Sequence, residues 1–187
     1  MVVIAFTGAG ISKDSGIDTF LEHPQIRDAL YRSVAQSDPQ RYKQAILAMK
    51  SQIDPAKAND AHYALAEYGV DVITMNIDGL HEKAGSTPLN LHGTMPEDDE
   101  LEICHTLYGK PVLYGDSAPN YQIAVEKVYN LKPGDVFIVI GASMSTAISG
   151  DLQYLARSRG ATIYSIQEDA KTQVRKLLEE IFDVKNR

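Results

Sequence analysis

The sequence predicts an α/β fold built on a parallel sheet flanked by helices, and three observations carry that prediction. Uninterrupted β-branched runs recur: "VVIAFT" (2–7), "VDVITM" (70–75), "DVFIVIG" (135–141) and "ATIYSI" (161–166). Helical stretches separate them, and the first run ends directly in the glycine loop "GAG". Runs without polar alternation read as strands buried on both faces, which is the situation of a parallel sheet. Strand–helix alternation then implies a doubly wound arrangement. "TPLNLH" (87–92) and "KPVLYG" (110–115) are shorter strand candidates.

Three helices follow from apolar spacing and stop signals. Asn59 to Tyr68 carries Ala61, Leu65 and Ala66 and stops at Gly69. Asp151 to Arg159 carries Leu152, Leu155 and Ala156 and stops at Gly160. The stretch 168–182 places Val174, Leu177, Leu178 and Ile181 on one stripe. Glycine just past the last periodic residue supplies the left-handed turn that ends a helix, and an i, i+3, i+4, i+7 stripe faces a core. Residues 21–58 are polar, helical in flavour and punctuated by prolines, so they read as a helical insertion covering one edge of the sheet. Residues 95–110 form a short irregular, acidic segment whose run Glu97 to Glu100 reads as a solvated loop. A length of 187 residues suits one domain over 1–187.

Composition excludes several classes. Eighteen Lys and Arg against 25 Asp and Glu leave a net charge of −7, which repels phosphate backbones and argues against nucleic acid as a partner. The single cysteine, Cys104, rules out an intrachain disulfide and points to a reducing compartment, hence a cytoplasmic protein. No apolar run approaches the roughly 20 residues of a membrane span, and the first ten residues read as a strand rather than a signal peptide.

Three short motifs are candidates for chemistry. In "FTGAGISKDSGI", Gly8 and Gly10 allow a tight turn and close approach of a ligand, and the amides near Ile11 and Ser12 could face a phosphate. Lys13 stands where the dinucleotide fingerprint G-x-G-x-x-G has glycine, so a plain strand–helix turn is the competing reading. In "TMNIDGLHEKAGS", Asn76 and Asp78 lie at a strand's carboxyl end, where open α/β sheets bind ligands, but an Asx cap on the next helix explains them equally. In "LHGT", His92 is either a base or a histidine packed at a strand end.

Taken together and in order, "GAGISKDSGIDTF", "TMNIDGLHEKAGS", "LHGT", "YGDSAP" and "VFIVIGASMSTA" resemble the sirtuin (SIR2) family of NAD-dependent protein deacylases. "PAKANDAHYALAEYGVDVIT" looks like the family's helix and strand before its Asn-Ile-Asp motif. The resemblance implies a Rossmann-like NAD-binding domain with a reduced helical small subdomain. It implies that Gly8, Ala9, Gly10, Ile11 and Ser12 cradle NAD, that Phe20 shields the nicotinamide end, and that Asn76 and Asp78 position ribose and amide. It further implies His92 as general base, with Gly141 and Ser143 contacting phosphate and adenosine ribose. Tyr114 and Gly115 look like the pair that holds an acyl-lysine peptide as an added strand. By the same resemblance, a ribose hydroxyl must lose a proton during acyl transfer to ADP-ribose, and imidazole has a suitable pKa.

The match has gaps. "SGIDTFL" puts Thr19 and Leu21 where the family has an acid and an arginine, and Met75 replaces a glutamine. The four cysteines of the family's zinc module are missing from 95–110, and Cys104 with the adjacent His105 falls short of a tetrahedral set, so no metal is expected. His62 reads as a packing or capping residue and His81 as structural. Two alternatives stay open beside a deacylase: an NAD glycohydrolase or ADP-ribosyl transferase on the same scaffold, and a non-catalytic NAD or ADP-ribose receptor.

Overall fold

A computed structural model describes residues 1–17, 23–142 and 147–183. Five parallel strands, β1 (Val3–Thr7), β2 (Asp71–Thr74), β3 (Leu89–Asn90), β4 (Val136–Ile140) and β5 (Thr162–Ile166), form one sheet in the order β3-β2-β1-β4-β5. Successive side chains leave a strand on opposite faces, so each run feeds two cores. Val3 and Ala5 of β1, Val72 of β2 and Val136, Ile138 and Ile140 of β4 pack on α4 (Asp60–Glu67) and α8 (Ala170–Asp183). On the other face, Ile4, Phe6, Ile73, Phe137 and Val139 pack on α6 (Asn120–Tyr129) and α7 (Ala147–Ser158). The predicted α/β architecture is therefore the one observed.

Three elements differ from expectation. β5 carries exposed Thr162, Tyr164 and Ser165, because it is the edge of the sheet and no strand lies beyond it. α7 includes Ser149 and Gly150 before Asp151, because buried Ser149 continues the inward stripe of Leu152 and Ala156. Residues 110–115 form no sheet strand. Tyr114 makes only an isolated parallel bridge to Tyr31, its N–H donating to Leu30 O and its carbonyl accepting from Arg32 N, both at 2.9 Å.

The insertion forms α1 (Pro24–Ala29), α2 (Arg32–Ser37) and α3 (Pro39–Ile53). Instead of covering a sheet edge, it builds a third core from Ile26, Ala29, Ala35, Tyr42, Ile46, Met49 and Ile53 against Leu80, Cys104 and Leu113, with no strand residue in it. The helical layer thus packs on the loops that leave β2 and β3.

Candidate active site

The crevice outside the carboxyl ends of β2, β1 and β4 is where a doubly wound sheet binds ligands, and the strand order reverses between β1 and β4. Two glycine loops meet there. Gly8 N–H donates to Ile140 O and Gly10 N–H to Gly141 O, at 3.0 and 2.9 Å. A Cβ on Gly10 would lie 2.5 Å from Gly141 Cα, and one on Gly141 would lie 2.4 Å from Ile11 N. The glycines are thus required first for loop-on-loop contact. Ile11 donates its N–H to Gly8 O at 3.2 Å and buries its side chain in the core, so its amide is spent internally rather than aimed outward. Ala9 is exposed, Gly10 half-buried.

Behind this floor lies a buried polar network. The Asn59 N–H donates to His62 Nδ1 at 3.3 Å, so the His62 proton sits on Nε2, 3.5 Å from Ser12 Oγ. Ser12 Oγ donates to Asp78 Oδ2 at 2.6 Å and accepts from Asn76 Nδ2 at 3.1 Å. Asn76 Nδ2 also donates to Gly8 O at 3.2 Å. Asp78 Oδ1 accepts the N–H of Leu80 at 3.0 Å, so Asp78 caps α5 (Leu80–Lys83) while holding Ser12. The cap reading of the Asn-x-Asp motif is thus realised by Asp78, which also binds Ser12. Burial pushes the Asp78 carboxyl up, and the Ser12 and Leu80 hydrogen bonds oppose it. Ser12 itself is buried and its hydroxyl is filled by protein partners, so its side chain serves Asp78 and Asn76.

His81 Nε2 lies 2.9 Å from Thr7 Oγ1, whose proton goes to Thr74 Oγ1 at 2.8 Å, so His81 donates there. Burial lowers His62 to about 4 and His81 to about 3, and both rings are neutral near pH 7. The unfolded chain takes up protons on these residues below about pH 6.5 while the native state does not, so acidification favours unfolding. The melting temperature is expected to fall between pH 7 and pH 5, and to fall less in a His62→Gln variant. An equally steep fall in that variant would show that His62 is not held neutral.

His92 stands just past the end of β3. The Met75 carbonyl can only accept, so His92 Nδ1 carries the proton and donates to it at 3.0 Å. Nε2 therefore presents a lone pair, which accepts from the Tyr121 hydroxyl at 2.8 Å. Burial lowers the His92 pKa, opposed by the Met75 contact, and the ring is a neutral base. The loop is fixed on its far side: Val112 N–H donates to His92 O at 2.9 Å and Thr94 N–H to Gly109 O at 3.1 Å. Gly93, at φ +72°, admits no side chain, since a Cβ would sit 2.0 Å from Gly109 O.

Segment 95–110 is tied down by Arg32. Its guanidinium forms a two-pronged pair with Asp116, both contacts 2.7 Å, and donates to His105 O at 3.0 Å and Leu107 O at 2.7 Å. It also covers the Tyr108 ring at 4.1 Å. Cys104 is buried in the helical layer. The acidic run is not a free loop, because Lys110 pairs with Glu100 at 2.6 Å and Lys50 with Asp98 at 3.2 Å. Among the described residues, no group of three or more His, Cys, Asp or Glu is placed to hold a metal ion.

A model of the Sir2 family matches residues 8–110. The NAD-dependent protein deacylase 2 of Archaeoglobus fulgidus is 32% identical over 223 aligned residues, 97% of this chain and 84% of the relative. The chain belongs to the Sir2 family. A relative named NAD-dependent protein deacylase in Thermococcus sibiricus is 31% identical, covering 88% of this chain and 79% of its own. The fold of this Sir2 chain is also that of solved relatives. A mutant Sir2 homologue bound to ADP-ribose superposes with a TM-score of 0.81 at 24% identity, over 99% of this chain and 93% of that one. A Sir2–p53 peptide–NAD+ complex superposes at 0.78 and 22% identity, over 96% and 92%.

Within this Sir2 scaffold, Gly8, Gly10, Gly141, Asn76, Asp78 and His92 all lie at strand carboxyl ends around one crevice. Phe20 and Ser143, together with the substituted Thr19 and Leu21, fall outside the described residues. Tyr114 has its backbone paired with residues 30 and 32, and its exposed ring lies 4.8 Å from that of Tyr31. Gly115, at φ +97°, turns the chain immediately after it. Sequence reasoning missed Tyr121 and Arg32. No local pattern marks either, because their partners His92 and Asp116 are 29 and 84 residues away.

Proposed function

We propose that this chain is an NAD-dependent protein deacylase. The observation that carries the reading is the orientation of His92, a neutral imidazole with its tautomer set by Met75 O and its Nε2 lone pair turned toward the crevice side chain Tyr121. The named activity of the Archaeoglobus and Thermococcus relatives supports it. The residues fit a dinucleotide: Gly8, Gly10 and Gly141 bring two loops together at the crevice, and half-buried Asn76 and His92 border it. NAD held there would supply an activated nicotinamide–ribose bond: the acyl-lysine oxygen would displace nicotinamide, and with one water the acyl group would pass to ADP-ribose as the free lysine amine leaves.

His92 accepts the proton of a ribose hydroxyl at Nε2 as that hydroxyl becomes the nucleophile, and Met75 O stabilises the resulting imidazolium through Nδ1–H. Asn76 is held by Gly8 O and Ser12 Oγ with its backbone fixed to Thr74, so its amide is pre-oriented at the sugar end. Asp78 keeps Ser12 in place. Tyr114–Gly115 is the docking segment for the peptide. The Arg32 tether serves segment 95–110 in place of a metal. One buried cysteine and a charge of −7 fit a reducing cytoplasm and a protein substrate rather than nucleic acid.

One observation favours a second reading, NAD glycohydrolase: both backbone groups of Tyr114 are already paired with residues 30 and 32, which narrows the edge available to a peptide. Nicotinamide release separates the two. Release from NAD that rises with an acetyl-lysine peptide, with acyl-ADP-ribose as product, is the result expected. Peptide-independent release would favour the glycohydrolase, and tight NAD binding without release would leave a receptor.

A further inference from the structure

Tyr121 takes no part in the chemistry described above, yet its hydroxyl occupies the lone pair that the base must use. An unprotonated imidazole nitrogen has one lone pair and accepts one hydrogen bond. In this structure Nδ1 is committed to Met75 O and Nε2 to the Tyr121 hydroxyl, so both nitrogens of His92 are engaged. Tyr121 cannot drift from this position easily. It lies in the first turn of α6, and its neighbour Asn120 donates to Asn90 O at 2.7 Å, which clamps the start of α6 to the end of β3 two residues before His92. Burial holds the phenol protonated and hence a donor, and its surroundings include Tyr114 of the docking segment.

We propose that Tyr121 is a latch on the catalytic base: it caps His92 Nε2 in the ligand-free protein and must be displaced before a ribose hydroxyl can donate to that nitrogen. This rests on the deacylase reading only for the identity of the sugar. The exchange replaces one neutral hydrogen bond to Nε2 with another, so ligand binding opens the base without a net gain from that contact. Tyr121 is then a positioning residue that makes the base available only with the dinucleotide in place.

The test uses Tyr121→Phe, which keeps the ring and removes the hydroxyl. ADP-ribose, which is not turned over, is titrated calorimetrically into wild type, Tyr121→Phe, His92→Ala and the double variant. Removing the hydroxyl leaves no bond to break, so Tyr121→Phe is expected to bind about threefold to tenfold more tightly than wild type, the equivalent of one neutral hydrogen bond. In the His92→Ala background the same change is expected to have no effect. The KM for NAD should fall in parallel, while kcat stays within a small factor. Equal or weaker binding by Tyr121→Phe, or the same gain in both backgrounds, would overturn the latch. The 15N resonance of His92 Nε2 in ligand-free protein gives a readout independent of NAD. It is expected to move downfield in Tyr121→Phe as a hydrogen-bonded lone pair becomes free, and an unmoved resonance would overturn the proposal. A shifted resonance in a protein that binds neither ADP-ribose nor NAD would leave the contact standing, overturn its role as a latch and remove the deacylase reading with it.

Discussion

Replacing His92 with alanine is expected to lower acyl transfer by roughly 10²- to 10⁴-fold, the usual contribution of a positioned general base. Affinity for NAD should change little. The ring is half-buried, and its hydrogen bonds go to Met75 O and the Tyr121 hydroxyl. A ligand gains a hydrogen bond at Nε2 only by displacing the one from Tyr121, so deleting the ring removes an exchange that is nearly balanced. Rapid-quench measurement of acyl-ADP-ribose, alongside calorimetry with ADP-ribose, checks both halves. Collapse of ligand affinity in His92→Ala would mean that the imidazole holds the crevice together rather than moving a proton.

Replacing Arg32 with methionine is expected to cost about 3–5 kcal/mol of stability, because it leaves the Asp116 carboxylate buried and unpaired. The Asp116 side chain is 2% exposed and that of Arg32 9%. Arg32 also binds two carbonyls, His105 O and Leu107 O, which would be stranded with it. In a domain of this size the loss corresponds to a drop in melting temperature of roughly 6–20 °C. Arg32→Met/Asp116→Leu should recover much of it, since no unpaired charge remains. If the single variant melts like wild type, segment 95–110 is held by other means. Arg32 lowers the Asp116 pKa. The stability from this pair is therefore complete above about pH 4, the ordinary carboxylate value, and is lost as pH falls through the lower folded value.

These two variants sit on different sides of what the sequence discloses. His92 was legible because "LHGT" ends a strand-like run and falls in order among four other motifs. Arg32 was not, because it lies in a polar helical stretch with the composition of a solvated surface. Its burial arises only when α2 meets the chain at 105–107 and 116. The glycine loop gave a mixed result. Its place after β1 was correct, but the amides near Ile11 and Ser12 were expected to face a phosphate, and that of Ile11 bonds to Gly8 O. A glycine's freedom is visible in sequence, whereas the atom it approaches is not.

The order of buried strands, the helix stops at Gly69 and Gly160, and the set of polar residues waiting at strand ends were determined by the sequence itself. Periodicity and backbone freedom are local properties, readable within about a dozen residues. The tertiary structure decided the rest: that Ser12 spends its hydroxyl on Asp78, that Met75 O selects the His92 tautomer, that Tyr121 caps the lone pair, and that β5 is left at an edge. Each depends on a hydrogen bond or a neighbour supplied from far along the chain. Only the packed sheet and its loops determine which donor reaches which lone pair.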